Sequence, residues 1–271
     1  MITFHKILRG CEEGSREGWR LFLSDYTPII SRLVAVYLPS LAAAGNQTWR
    51  EAVQVLTANN FERLRSFDHQ AEREFLLDLR AFFLEYGARN LDASRDLGGA
   101  PRPTSEAIKA LFIGVPLAHQ QILFLTLAGY SHATIDSILR INTAIAEQGL
   151  QRLQAEYPVL LNPEQDVCPW PAAWSEVLRS ARASRTESCP TVRQSVRLLD
   201  GQTGWQDKDP LEQHMSGCLH CLESWTALRE VVYWRREAKP CPADEISAML
   251  ADLPLLAEAR RPKSLLKRMF G

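Results

Sequence analysis

Long apolar runs are missing from this chain. No stretch approaches the roughly 18 residues that a membrane-spanning helix needs. The opening segment, Met1 to Cys11, lacks the apolar centre of a secretory leader. No membrane span is expected, and the expected compartment is the cytoplasm. Glycine is sparse, at 14 of 271 residues, and alternating β-branched runs are scarce, so a sheet has little to build on. The signatures of common catalytic machinery are also missing: a Gly-rich phosphate loop, a G-x-S-x-G elbow and an H-E-x-x-H helix. Paired acids such as Glu12-Glu13 fall on a solvent face, and an enzyme is not expected. A net charge of −1 offers no global electrostatic attraction to nucleic acid, which rests on phosphate neutralisation by Lys and Arg.

What is present is helical. Leu, Ala, Arg and Glu recur at spacings of three and four, which predicts an all-α protein. Residues 1–96 read as one helical domain. Trp19, Phe22, Leu23, Tyr26, Ile29, Ile30, Leu33 and Val34 form one apolar face, which Pro28 interrupts as a kink or a break. Further helices are expected from Trp49 to Leu64 and from Ala71 to Ala93, with a turn at Phe67-Asp68. Residues 97–104 hold Gly-Gly and two prolines, the clearest linker signal. Residues 105–157 form a second domain. There Pro116 opens a helix that Gly129 ends, Ser131 caps a helix to Leu139, and Asn142 caps another to about Glu156. A second proline-containing linker spans 158–184. Residues 185–238 form a small module, and 239–271 an amphipathic tail with Arg260, Arg261, Lys263, Lys267 and Arg268.

The small module carries the sharpest motif. His214, Cys218 and Cys221 form H-x3-C-x2-C, spacings that stack along one stripe of a single helix. Six cysteines in a chain of this size and expected compartment point to metal binding rather than disulfides. Zinc prefers four N and S ligands, so a fourth must come from elsewhere. Cys168 and Cys189 are the upstream candidates. His220 falls off the stripe, and Cys241 follows Pro240 as a bystander.

Residues 117–155 have the outline of a helix-turn-helix, with about three residues between its second and third helices. Ile122, Leu123, Leu127, Ile135, Ile138, Leu139, Ile141 and Leu150 supply its core; a generic three-helix bundle is the plain alternative. The segment VPLAHQQILFLTLAGYSHATIDSIL, within residues 108–153, resembles the fourth conserved region of extracytoplasmic-function-type sigma factors of bacterial RNA polymerase. FERLRSFD and FFLEYGARNLDA, within residues 49–93, resemble the second region of the same family. The resemblance implies two helical sigma-like domains that bind core RNA polymerase and promoter DNA. It implies DNA contacts by Arg63, Arg65, Arg80, Phe83, Arg89 and Asn90 in the first domain and by Asn142, Thr143, Gln148 and Arg152 in the second. Phe83 would stack on unpaired bases, or else pack in the core. The family's recognition helix typically carries basic residues where this chain has Glu147 and Gly149; in the helix before it the family usually has alanine, packed against the neighbouring helix, where this chain has Asp136.

Cys189 opens CPTVRQSVRLLDGQ, and PLEQHMSGCLHC follows. Together these resemble the zinc-binding anti-sigma domain. The resemblance implies Cys189, His214, Cys218 and Cys221 as the ligands of one structural Zn2+. Four protein ligands close the site to water, and thiolate ligands also admit a redox role. Such domains pack between sigma regions two and four, which implies an internal brake or a platform for a separate anti-sigma or other inhibitory protein. Two readings remain open: a restrained initiation factor, or a sigma-like adaptor that binds a regulatory protein without recognising promoters.

Overall fold

The computed structural model describes residues 3–37, 47–67, 71–94, 109–110, 112–156, 177–178 and 180–253. Among them every regular element is a helix. The first unit comprises α1 (Phe4–Glu12), α2 (Arg16–Tyr37), α3 (Gln47–Arg65) and α4 (Glu72–Ser94). Trp19, Phe22, Tyr26, Trp49, Phe75 and Phe83 form its buried aromatic centre. Their rings meet at tilted or edge-on angles, as between Trp49 and Phe83 at 5.5 Å and 79°, except Phe22 and Trp49, which stack at 6.5 Å and 17°. Pro28 neither breaks nor ends α2.

The helix expected from Trp49 to Leu64 is not continuous. Ala58 is extended, and Asn59, Asn60 and Phe61 take left-handed φ of 49°, 56° and 62°. Each left-handed residue costs about 1–2 kcal/mol, least for asparagine, whose short polar side chain bonds locally. The break turns Phe61 inward, 3% exposed and 6.2 Å from the Trp19 ring. An apolar pattern read at a period of 3.6 cannot register such a break.

The second unit follows its sequence signals closely. It comprises α5 (Leu117–Ala128), α6 (His132–Leu139) and α7 (Thr143–Glu156). Gly129 ends α5 at a φ of 102°. The Ser131 hydroxyl accepts from the Thr134 N–H, and Asn142 Oδ1 accepts from the Ala144 N–H at 2.9 Å. Ile122, Leu123, Leu127, Ile135, Ile138 and Leu139 are buried and Ile141 half-buried; the Leu150 side chain lies outside the described residues.

The remaining helices are α8 (Val192–Leu199), α9 (Trp205–Gly217), α10 (Leu219–Glu237) and α11 (Ala243–Ala251). Here α10 packs against α2 and α4 of the first unit and against α5 and α6 of the second. Its Leu219, Leu222, Trp225, Leu228 and Val231 are all 3% exposed or less, each side chain contributing about 1.5–3 kcal/mol of burial. The residues after Lys239 do not stand apart as a tail: Ile246, Met249 and Leu250 of α11 are buried, and the helix packs on α2. Residues 254–271, with the basic positions of the expected tail, lie outside the described residues.

One polar network crosses this apolar seam. Glu230 on α10 is fully buried, as is Arg80 on α4. Arg80 Nε donates to Glu230 Oε2 at 2.6 Å, Nη1 to Glu223 at 2.7 Å and Nη2 to the Tyr37 hydroxyl at 2.9 Å. The Tyr130 hydroxyl, from the second unit, donates to the other Glu230 oxygen and accepts from Trp234 Nε1 at 3.0 Å. Burial disfavours the Arg80 cation, but Glu230, Tyr37 and Glu223 outweigh it and hold the charge. Burial, then the Glu230 charge, keep the Tyr130 phenol protonated and donating.

Glu230→Ala leaves the Arg80 cation buried without its main partner, and is expected to lower stability by about 3–5 kcal/mol in urea unfolding. The double variant Arg80→Met, Glu230→Leu should recover most of that loss. An equal loss in single and double variants would count against the charge pair as its origin.

Candidate metal centre

The turn before α8, the end of α9 and the start of α10 bring four ligating side chains together. Cys189, His214, Cys218 and Cys221 place one ligand atom each within 4.8 Å of all the others. The expected single stripe does not form. His214 lies in the last turn of α9, and the helix breaks at Cys218, whose φ of −124° and ψ of 115° are extended. Cys221 then sits in the first turn of α10. The break re-aims the chain so that three ligands at helical spacing converge on a point instead of lining one face.

Local bonds hold the cluster. The Thr191–Gln194 capping box starts α8 directly after the Cys189 turn. The Thr186 N–H and hydroxyl approach Cys189 Sγ at 3.2 and 3.5 Å. Cys218 Sγ lies 3.8 Å from Cys189 Sγ and 3.7 Å from the Ser184 carbonyl oxygen. His214 Nε2 is buried and has no hydrogen-bond partner among the described residues. An orphaned imidazole nitrogen among three sulfurs is costly on its own and fits a metal-ligand role.

The thiol electrostatics agree. Burial pushes the Cys189 thiol up, but hydrogen bonding from the Thr186 hydroxyl and N–H, then the nearby His214 and Cys221 side chains, bring it down to about 6. Burial, and then the neighbouring Cys189 and Cys218, push the Cys221 thiol far above the usual range. The protein alone thus favours a thiolate at Cys189 and resists one at Cys221. A divalent cation at the centre removes that resistance. The cluster can therefore hold one metal ion. Cys241 is elsewhere, bonded to Glu245 at 3.4 Å, and Cys168 lies outside the described residues.

The expected DNA contacts scatter. Phe83 is fully buried against Trp49 and cannot stack on a base here; the aromatic core claimed it. Arg80 is likewise buried under α10, so it holds carboxylates and not phosphates. Arg63 is exposed, its guanidinium over the Phe67 and Phe82 rings at 5.1 and 5.4 Å. Arg65 is exposed and donates to the Glu12 carbonyl at 3.2 Å. The side chains of Arg89, Asn90 and Thr143 lie outside the described residues. Asn142, Gln148 and Arg152 are exposed on or beside α7. Gly149 faces inward: a Cβ there would lie 3.0 Å from Ile122 Cδ1 and 3.4 Å from His119 Cδ2, so any larger side chain requires those two side chains to yield by a few tenths of an ångström.

No family model, curated protein or solved structure matches the chain. Glu223, Glu230, Tyr37 and Tyr130 were not singled out from sequence. A signal existed for the central pair. Arg80 interrupts the apolar series Leu76, Leu79, Phe83, and Glu230 interrupts Ala227, Leu228, Val231. Opposite charges within two apolar helix faces are candidates for a buried pair.

The purified chain is expected to carry one divalent metal ion per molecule by elemental analysis. His214→Ala or Cys218→Ser should lose it and melt about 10 °C lower, while Cys241→Ser retains it. In metal-free protein, Cys189 should hold its thiolate above about pH 6 and lose it below. Alkylation followed by mass spectrometry should therefore show half-maximal labelling of Cys189 near that pH, with Cys221 labelled only under far more alkaline conditions.

Proposed function

We propose that this chain is a sigma-like transcription initiation factor, restrained by its own metal module and released to bind core RNA polymerase and promoter DNA. The observation that carries this reading is the position of α10. It lies between the two helical units whose sequences resemble sigma regions two and four, and Glu230 bonds to Arg80 in one and Tyr130 in the other. Arg80 belongs to the promoter-contact set that the resemblance implies, and α10 covers it. A closed state of this kind is a brake: polymerase must compete with buried apolar area and a buried ion pair before the units can separate.

The metal in this reading is zinc, in a structural role. Three sulfurs and one imidazole suit zinc best among common divalent ions. Tetrahedral bonds of about 2.3 Å place ligand sulfurs about 3.8 Å apart, and the Cys189 and Cys218 sulfurs are 3.8 Å apart. Four protein ligands leave no position for substrate, so the centre shapes the α9–α10 joint and performs no reaction. The protein is read as non-enzymatic and cytoplasmic; no helix among the described residues is long and apolar enough to cross a membrane.

One observation favours a second reading, a sigma-like adaptor that binds a regulatory protein without promoter recognition. Ala144, Ile145, Glu147, Gln148, Gln151 and Arg152 are exposed on α7. Ile145 is 48% exposed. One cation beside one carboxylate is a poor phosphate-binding face.

Affinity capture of core RNA polymerase by the full chain, followed by transcription from promoters beside its own gene, separates the two. The initiation-factor reading expects Glu230→Ala to bind core enzyme at least about tenfold more tightly than the unaltered chain, and to raise transcript yield. Absence of core binding by the folded variant would sink that reading and leave the adaptor.

A further inference from the structure

A narrow cleft opens where α6, the end of α8 and α10 meet. Arg140, Arg229 and Arg236 line it together with Ser137, Leu199 and Tyr233, and no carboxylate is among the residues described as lining it. Two acids act from outside: Glu237 accepts from Arg236 Nε at 2.7 Å, and Glu212 influences Arg229.

Arg229 is held firmly. Its guanidinium lies 4.9 Å from the Trp225 ring, and Nη1 donates to the Leu139 carbonyl at 2.8 Å, capping the end of α6. Its Nε–H is buried with no hydrogen-bond partner among the described residues. Burial lowers its pKa; Glu212 opposes that and Arg140 adds to it. Capping accounts for one donor of one arginine. It does not account for two further guanidiniums at the same mouth, where like charges repel.

We propose that this cleft binds a phosphate oxyanion, free or as the terminal group of a nucleotide. The enclosed space, about 20 Å³, admits a single oxygen-sized group. One phosphate oxygen enters beside Arg229, and the others remain at the mouth between Arg140 and Arg236. Guanidinium groups match phosphate in charge and in paired-donor geometry. Since Arg140 belongs to the second unit and Arg236 to α10, the bound anion bridges the two and favours their closed arrangement. The site stands independently of any role in transcription.

Isothermal titration of the full chain with inorganic phosphate, and separately with ATP, at fixed ionic strength tests this. Saturable one-to-one binding is expected, weakened about tenfold or more in the double variant Arg140→Gln, Arg236→Gln. Both positions are exposed, and an unchanged melting temperature without ligand would show the variant folded. Tighter binding of ATP assigns the ligand as a nucleotide, and equal binding assigns free phosphate. Absence of saturable binding, or binding unchanged in the variant, which marks an adventitious ion only, overturns the proposal.

Discussion

The arrangement of this protein turns on one carboxylate with two commitments. Glu230 gives one oxygen to Arg80 and the other to Tyr130, and it is fully buried. A buried charge without a partner is far more costly than the same pair replaced by apolar groups. The pair therefore adds little net stability, but it punishes every arrangement in which only one unit is docked. Apolar burial along α10 supplies the affinity; the ion pair supplies the register. Arg80 has Glu230, Glu223 and Tyr37 as acceptors for its three nitrogens, so the network is satisfied as well as specific.

The metal centre matters because of where it stands on that helix. Cys218 is the N-cap of α10 and Cys221 lies in its first turn, only two residues before Glu223. The extended geometry at Cys218 sets the direction in which α10 leaves α9. Whatever orders the four ligands also aims the helix that carries Glu223 and Glu230. The same local event thus organises a small ligand cluster and a large apolar contact. This is economical for a module whose own core is slight.

The surfaces left open by this closure differ in character. The outer face of α7 balances Arg152 against Glu147, while the cleft between α6 and α10 gathers three arginines. Arg140, Arg229 and Arg236 gather at the seam between units. On the first unit, Arg80 is spent internally, and Arg63 leans on the Phe67 and Phe82 rings. Exposed positive charge among the described residues is therefore denser beside the α6–α10 joint than on the outer face of α7.

Much of the architecture was legible in the residues. Helix ends at Gly129, Ser131 and Asn142 follow from cap chemistry that acts within a few residues, and the apolar spacing marks the helices themselves. Three of the four candidate ligands, His214, Cys218 and Cys221, were identifiable because thiols and imidazole at short spacing have few other uses; Cys189 was implied only by the resemblance to a zinc-binding domain. Their convergence was not, since it depends on the break at Cys218, which no spacing encodes. The left-handed turn at Asn59–Phe61 escaped for a similar reason: packing of Phe61 against Trp19 decides it. Residue type alone left Arg80 and Phe83 open to solvent or core, and only the packing of α10 on α4 and of Trp49 on Phe83 chose burial. Local chemistry determined the elements and three of the four clustered ligands; tertiary structure brought Cys189 to them and decided which charges became partners, because a buried pair exists only when two distant helices share one dry interface.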